Sequence, residues 1–300
     1  MKPIKLTREF TSSYLKETIP EYEEILIFIE KNGGWISLPP KIVELISKLN
    51  IHDYPLLYRG KDTASKVFIL SFMPVEELKT LSAELETMPD DEKTNYAEGL
   101  ITSMCGGIDE ALDTFPDTPE KELAAQKAFS ELSADDQAKS LKQAQLMFAS
   151  FLAMFYNIFS IMVHGHRLTD LVEAAETGDE EAFFLAVQID KRILSVLPYF
   201  KERYERAISQ GDVDFLNKLN YRLTSPLLRG KIRYRTLWLT FALLEEFGQL
   251  DSTLKHREIL DICEDAGVGG YKNRIEDVGY LSKRLREFHL FQKINQRSRH

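Results

Sequence analysis

The chain has 300 residues, of which 44% are hydrophobic, 28% charged and 11% aromatic, and a formal net charge of −9 at pH 7. That is enough apolar material for one large domain or two moderate ones, and it excludes a disordered tail, a collagen-like fibre and a disulfide-stapled miniprotein. The acidic balance speaks against wholesale coating of nucleic acid.

Residues Met1 to Arg8 carry no continuous apolar run and no small-residue cleavage pattern, so a cytoplasmic location is expected. Helical periodicity then sets in. Ile25, Leu26, Phe28 and Ile29 predict a helix over Glu21 to Lys31, stopped by Gly33-Gly34. Ile42, Leu45, Ile46 and Leu49 predict another from Pro40 to Leu49, because proline in the first turn wastes no hydrogen-bond donor. The short apolar run Lys66 to Phe72, ending before Pro74, is a candidate minor strand.

Further helices are expected over Val75 to Thr87, Glu92 to Met104 and Pro119 to Leu132. Asp135 and Asp136 after Ser133 read as a capped helix start, since acids in a first turn favour the positive end of the helix dipole. Glycine followed by aspartate occurs at Gly178-Asp179 and again at Gly211-Asp212. Each pair predicts a tight corner, with glycine ending one helix in a left-handed conformation and aspartate capping the next. The other expected helices run over Thr169 to Thr177, Glu180 to Val196, Tyr199 to Gln210, Asp214 to Tyr221, Ile232 to Phe247, Leu254 to Ala266 and Arg274 to Phe291.

Residues Leu146 to Val163 contain no charge and reach the minimum length of a membrane span. Ser150, Ala153, Asn157, Ser160 and His164, however, recur at steps of three and four, so the small and polar residues share one seam. A lone span would bury Asn157 in lipid without a partner, whereas a helix bundle supplies one. A central buried helix is therefore expected, with membrane association disfavoured. His164-Gly165-His166 reads as a helix end rather than a metal site, because alternate residues on a helix point in nearly opposite directions. Cys105 and Cys263 form neither a redox pair nor half of a zinc set and read as buried thiols. No nucleotide-binding, hydrolase or metalloprotease motif is present, so no cofactor and no metal is expected.

Charge is unevenly placed. From Glu76 to Gln137 seventeen acids face four lysines and no arginine. From Phe215 to Leu244 there is no acid, while Lys218, Arg222, Arg229, Lys231, Arg233 and Arg235 supply six positive charges; the last thirty residues carry eight basic side chains against three acidic. Arg229 to Trp238 reads as the start of a helix in which free N–H groups and guanidinium forks suit an anion, with Tyr234 and Trp238 placed for stacking; pairing with the acidic N-terminal half is the alternative. The division expected on this basis is an acidic helical domain over 1–224 and a basic helical segment over 225–300, without excluding a single domain. The acidic stretch 76–137 is a candidate surface for a protein partner, and self-association is left open.

Cys263 four residues before Gly267, followed by the apolar Val268, resembles the first helix and turn of a helix-turn-helix. Ile275, Val278, Leu281, Leu285 and Phe288 would then be the buried stripe of the second helix, with Lys283, Arg284 and Arg286 towards its exposed side. The turn is several residues longer than that motif allows. Arg284-Leu-Arg-Glu-Phe-His289 has the R-x4-H spacing of the all-helical HEPN ribonucleases, a resemblance that would imply a dimeric, metal-free RNase site. Leu285 occupies a position that is usually polar in that family.

The expectation from sequence is thus an all-α, cytoplasmic protein of packed helical hairpins around a long apolar helix, acting as a binding or regulatory protein rather than an enzyme. Its candidate contacts to DNA, RNA or another polyanion are Arg229, Lys231, Arg233, Arg235, Lys283, Arg284 and Arg286. The alternatives are a HEPN-like ribonuclease and a protein-interaction scaffold without nucleic acid.

Overall fold

The computed structural model describes residues 6–31, 43, 46–48, 56–59, 127, 129–227, 232, 234–250, 254–269 and 277–297. All regular structure among them is helical. The candidate strand at 66–72, nearly all of the acidic stretch 76–137 and Cys105 lie outside the described residues. Of the helix expected over 40–49, the described residues 43 and 46–48 are helical.

The helices are α1 (Arg8–Lys31), α2 (Leu56–Arg59), α3 (Ala134–His164), α4 (Leu168–Glu176), α5 (Glu180–Ile189), α6 (Ile193–Val196), α7 (Pro198–Gln210), α8 (Val213–Thr224), α9 (Arg235–Glu246), α10 (His256–Asp265) and α11 (Asp277–Arg297). Two compact units are distinguished by their contacts: residues 62–151 with Met1, and residues 2–61 with 152–300. The described part of the first is chiefly the N-terminal half of α3, where Ser133 Oγ accepts from the Asp136 N–H at 3.2 Å, the cap that the sequence predicts.

In the second unit α1 begins thirteen residues earlier than its periodicity suggests and runs through Pro20. Leu15, Ile19, Tyr22, Leu26 and Ile29 explain the extension, since all lie on one buried face while Pro20 is exposed. A proline on the solvent side loses one helical hydrogen bond, but the carbonyl it frees is hydrated. This face packs on α9 and α10. Arg8 extends the contact with α10 by a fork onto Asp265 at 2.5 and 2.9 Å.

Both glycine-aspartate corners have the predicted geometry. Gly178 adopts φ +107°, and Asp179 Oδ1 accepts from the Ala182 N–H at 2.9 Å. Gly211 adopts φ +65°, and Asp212 Oδ1 accepts from the Phe215 N–H at 3.2 Å. The corners bring α4 onto α5 and α7 onto α8. Phe183, Phe200 and Phe215 then meet, with ring centroids 4.5 and 5.3 Å from Phe183, in the apolar centre of these helices.

The helix expected over Glu180 to Val196 is broken at Asp190. Asp190 takes an extended backbone, and its Oδ1 accepts from the Arg192 N–H at 3.1 Å. A side chain that bonds the backbone two residues on offers it an alternative to the helical ladder.

The apolar helix α3 is long and hydrophobic enough to cross a membrane, yet 76% of its most apolar window is buried by the protein itself. Its seam is buried throughout, Ser150, Ala153, Asn157, Ser160 and His164 included. Asn157 has the partners a bundle is expected to supply: Nδ2 donates to Glu246 Oε1 at 2.9 Å, and Oδ1 accepts from the Thr169 N–H at 3.1 Å. Arg167 Nε lies 3.1 Å from the other Glu246 oxygen. An inward-facing carboxylate in α9 is thereby neutralised by the residue that opens α4. His164 ends α3, and Gly165 at φ +75° turns the chain, as a helix-end reading requires.

Candidate nucleic-acid interface

The basic residues singled out by sequence lie in two segments, and their described parts meet. The first leads into α9, which begins at Arg235, three residues later than the expected start at Ile232. Tyr234 precedes it at φ +54°, the one non-glycine residue in the left-handed region among those described. Arg229, Lys231 and Arg233 lie outside the described residues. Arg235 NH2 bonds Glu30 Oε2 of α1 at 2.5 Å, and the Ile232 N–H approaches the other Glu30 oxygen at 3.4 Å. Thr236 Oγ1 donates to Glu23. The start of α9 is thus held by two carboxylates of α1, and Arg235 is half-buried in that contact.

The second segment is α11. Leu281, Arg284, Leu285 and Phe288 recur at i, i+3, i+4 and i+7 and are all buried, so they form the inward stripe. The sequence pattern put Arg284 towards the exposed side, and this is corrected: only 5% of the residue is exposed. Its guanidinium carbon sits 3.8 Å from the Tyr234 ring centroid and 4.4 Å from that of Tyr280. NH1 bonds Glu287 Oε2 at 2.5 Å, and NH2 donates to the Tyr280 hydroxyl. That hydrogen bond holds the Tyr280 phenol below its ordinary range. Arg284 is therefore the joint between the two basic segments, clasped between an aromatic ring from each.

Trp238 is also turned inward. Its ring lies 5.6 Å from Phe288 and 5.1 Å from Phe291, so it packs α9 on α11 rather than standing ready to stack on a ligand. Farther along, Gln292 Nε2 bonds Glu245 Oε2 at 2.6 Å.

Lys283 and Arg286 are different. Both are exposed, three residues apart on α11, and among the described residues neither forms an ion pair. Two cations at this spacing lie on neighbouring turns of one helix face, where they can follow successive phosphates.

Between α10 and α11 the chain turns at Gly267, φ +69°, with the Val268 N–H donating to the Cys263 carbonyl at 2.9 Å. The two helices pack on each other, but eleven residues separate them, more than the helix-turn-helix likeness accommodates. For the R-x4-H pattern, Arg284 faces the tyrosines while His289 Nδ1 lies 3.2 Å from Gln292 Oε1. Five residues along one helix is a rotation of about 140°, so the two side chains do not converge within one chain. No group of three or more metal-ligating side chains is found among the described residues.

Comparison with known proteins finds no matching family model, no matching curated protein and no matching solved structure.

Two polar clusters escape a reading of the sequence. One is the Asn157, Arg167 and Glu246 network of the core. The other joins Tyr58, Tyr156, Asp190 and Arg192, for which the Asp190-Lys191-Arg192 triplet inside an apolar helical pattern is the only local signal.

Proposed function

We propose that the protein is a non-enzymatic, cytoplasmic binding protein of regulatory type, whose C-terminal third engages nucleic acid through its phosphate backbone. Lys283 and Arg286 make the contacts in this reading. Arg235 instead holds the start of α9 on Glu30 of α1, and Arg284 joins Tyr234 to α11. The observation that carries it is the clasp of Arg284 by Tyr234 and Tyr280, which ties α11, whose exposed Lys283 and Arg286 form no ion pair among the described residues, to the residue that opens α9.

Phosphate contacts position a nucleic acid without reading its sequence, so binding that depends on salt more than on sequence is expected. Fluorescence anisotropy with labelled single-stranded RNA and duplex DNA tests this. Binding at low salt that weakens steeply as salt is added supports the reading. Absence of binding at low salt, or binding unchanged by Lys283→Gln with Arg286→Gln, contradicts it.

A further inference from the structure

The break in the helix at Asp190 builds a cavity. Asp190 is 6% exposed, and both its oxygens are occupied: Oδ2 accepts from the Tyr58 hydroxyl at 2.9 Å, and Arg192 forks across the carboxylate at 2.8 and 2.7 Å. Arg192 also donates to the Tyr156 hydroxyl. Burial, and then the charge of Asp190, push both phenols above their ordinary range, so both stay neutral. Tyr156, Asp190 and Arg192 line one wall of a cavity of about 290 Å³, and Gln188, Arg222, Leu223 and Leu227 are among the other lining residues.

Three features define an occupant. Among the described residues the lining carries Lys191, Arg192 and Arg222 against the carboxylate of Asp190, so it is cationic. Asp190 is fully engaged by Arg192 and Tyr58. Arg222 spends one donor on Glu181, outside the lining, and a guanidinium has five. Gln188 Oε1 is buried with no hydrogen-bond partner among the described residues, while its Nε2 donates to the Ser225 carbonyl at 3.4 Å. An orphaned buried acceptor calls for a donor such as a hydroxyl. Leu223 and Leu227 add an apolar surface that no inorganic ion can use.

We infer that this cavity binds a small organic oxyanion, with its carboxylate or phosphate on Arg222 and a hydroxyl donating to Gln188. The volume equals that of roughly ten waters at about 30 Å³ each, room for a small organic anion. The cavity is lined chiefly by α3, α5 with the turn that follows it, and the end of α8, and it shares no residue with the α9 and α11 surface, so it stands independently of the nucleic-acid reading.

Calorimetric titration of the full chain, in the absence of nucleic acid, tests the inference with glycerol 3-phosphate, glycerate, glycerol and inorganic phosphate. The expected result is binding of glycerol 3-phosphate or glycerate, whichever identifies the head group, and none of glycerol. Arg222→Gln is expected to weaken that binding about tenfold or more, with Arg222→Lys intermediate and both variants retaining the wild-type circular dichroism spectrum. Gln188→Leu is expected to weaken it as well. Absence of binding by both organic anions overturns the inference. So does inorganic phosphate binding as tightly as glycerol 3-phosphate, or an affinity unchanged by Arg222→Gln.

Discussion

Replacing Arg167 by methionine tests the core network most severely. The Glu246 side chain is fully buried and that of Arg167 is 12% exposed, so the small stabilisation typical of surface ion pairs does not apply. Arg167→Met removes the cation 3.1 Å from Glu246 and the donor to the Glu245 carbonyl, and leaves the buried carboxylate, still bonded by Asn157, without its counter-charge. Breaking a buried pair from one side costs about 3–5 kcal/mol, most of it the penalty of the stranded charge. Removing both charges, in Arg167→Met with Glu246→Met, strands no ion. The main remaining penalty is the lost acceptor of Asn157 Nδ2, about 1–3 kcal/mol. The double variant is thus expected to be more stable than the Arg167→Met single variant. Urea unfolding followed by circular dichroism and by tryptophan fluorescence measures the difference. A cost below about 1 kcal/mol for Arg167→Met, or a double variant less stable than the single one, would refute the network as described.

Three other outcomes follow from local geometry. Gly211→Ala, at φ +65° with open space around the added Cβ, is expected to cost about 1–2 kcal/mol by urea unfolding, and Gly211→Asn less; equal costs would show that the left-handed backbone is not the cause. The Phe215 N–H, and then Arg203, hold the Asp212 carboxyl below its usual range, so its stabilisation is complete above the ordinary aspartate pKa and is lost as pH falls through the lowered one. Asp212→Asn should therefore lower stability at neutral pH and make the decline below about pH 4 shallower in unfolding curves taken across pH. Burial, with a smaller contribution from Glu264, pushes the Cys263 thiol up to about 12. Peptide mapping after iodoacetamide treatment near about pH 8 is accordingly expected to find Cys263 modified only in denatured protein.

Sequence reveals what neighbouring residues decide among themselves. The corners at Gly178 and Gly211 and the cap at Ser133 depend on side chains within a few residues of the backbone they serve. The seam of α3 follows from spacing alone, because a three-and-four step is a property of one helix. Arg284 shows where charge misleads. Its charge points it towards solvent, but its position sets it on the inward stripe with Leu281, Leu285 and Phe288, and two tyrosines make its burial tolerable. The pairing of Asn157 with Glu246 spans 89 residues, and that of Tyr58 with Asp190 spans 132, so no local pattern can announce either. The break at Asp190 is hidden for a related reason, since the apolar periodicity continues on both sides of it while a single side-chain bond to the backbone decides the conformation.

The proposed contact with nucleic acid is tested most directly by the salt dependence of binding to single-stranded RNA, compared between the wild-type chain and the Lys283→Gln, Arg286→Gln double variant. Each phosphate contact contributes about 0.7 to the slope of log affinity against log salt for a single strand, so losing two contacts should flatten the slope by about 1.4. A flatter slope and weaker binding at low salt are the predicted result. Identical slopes for the two proteins, or no binding by the wild-type chain at low salt, would contradict the account.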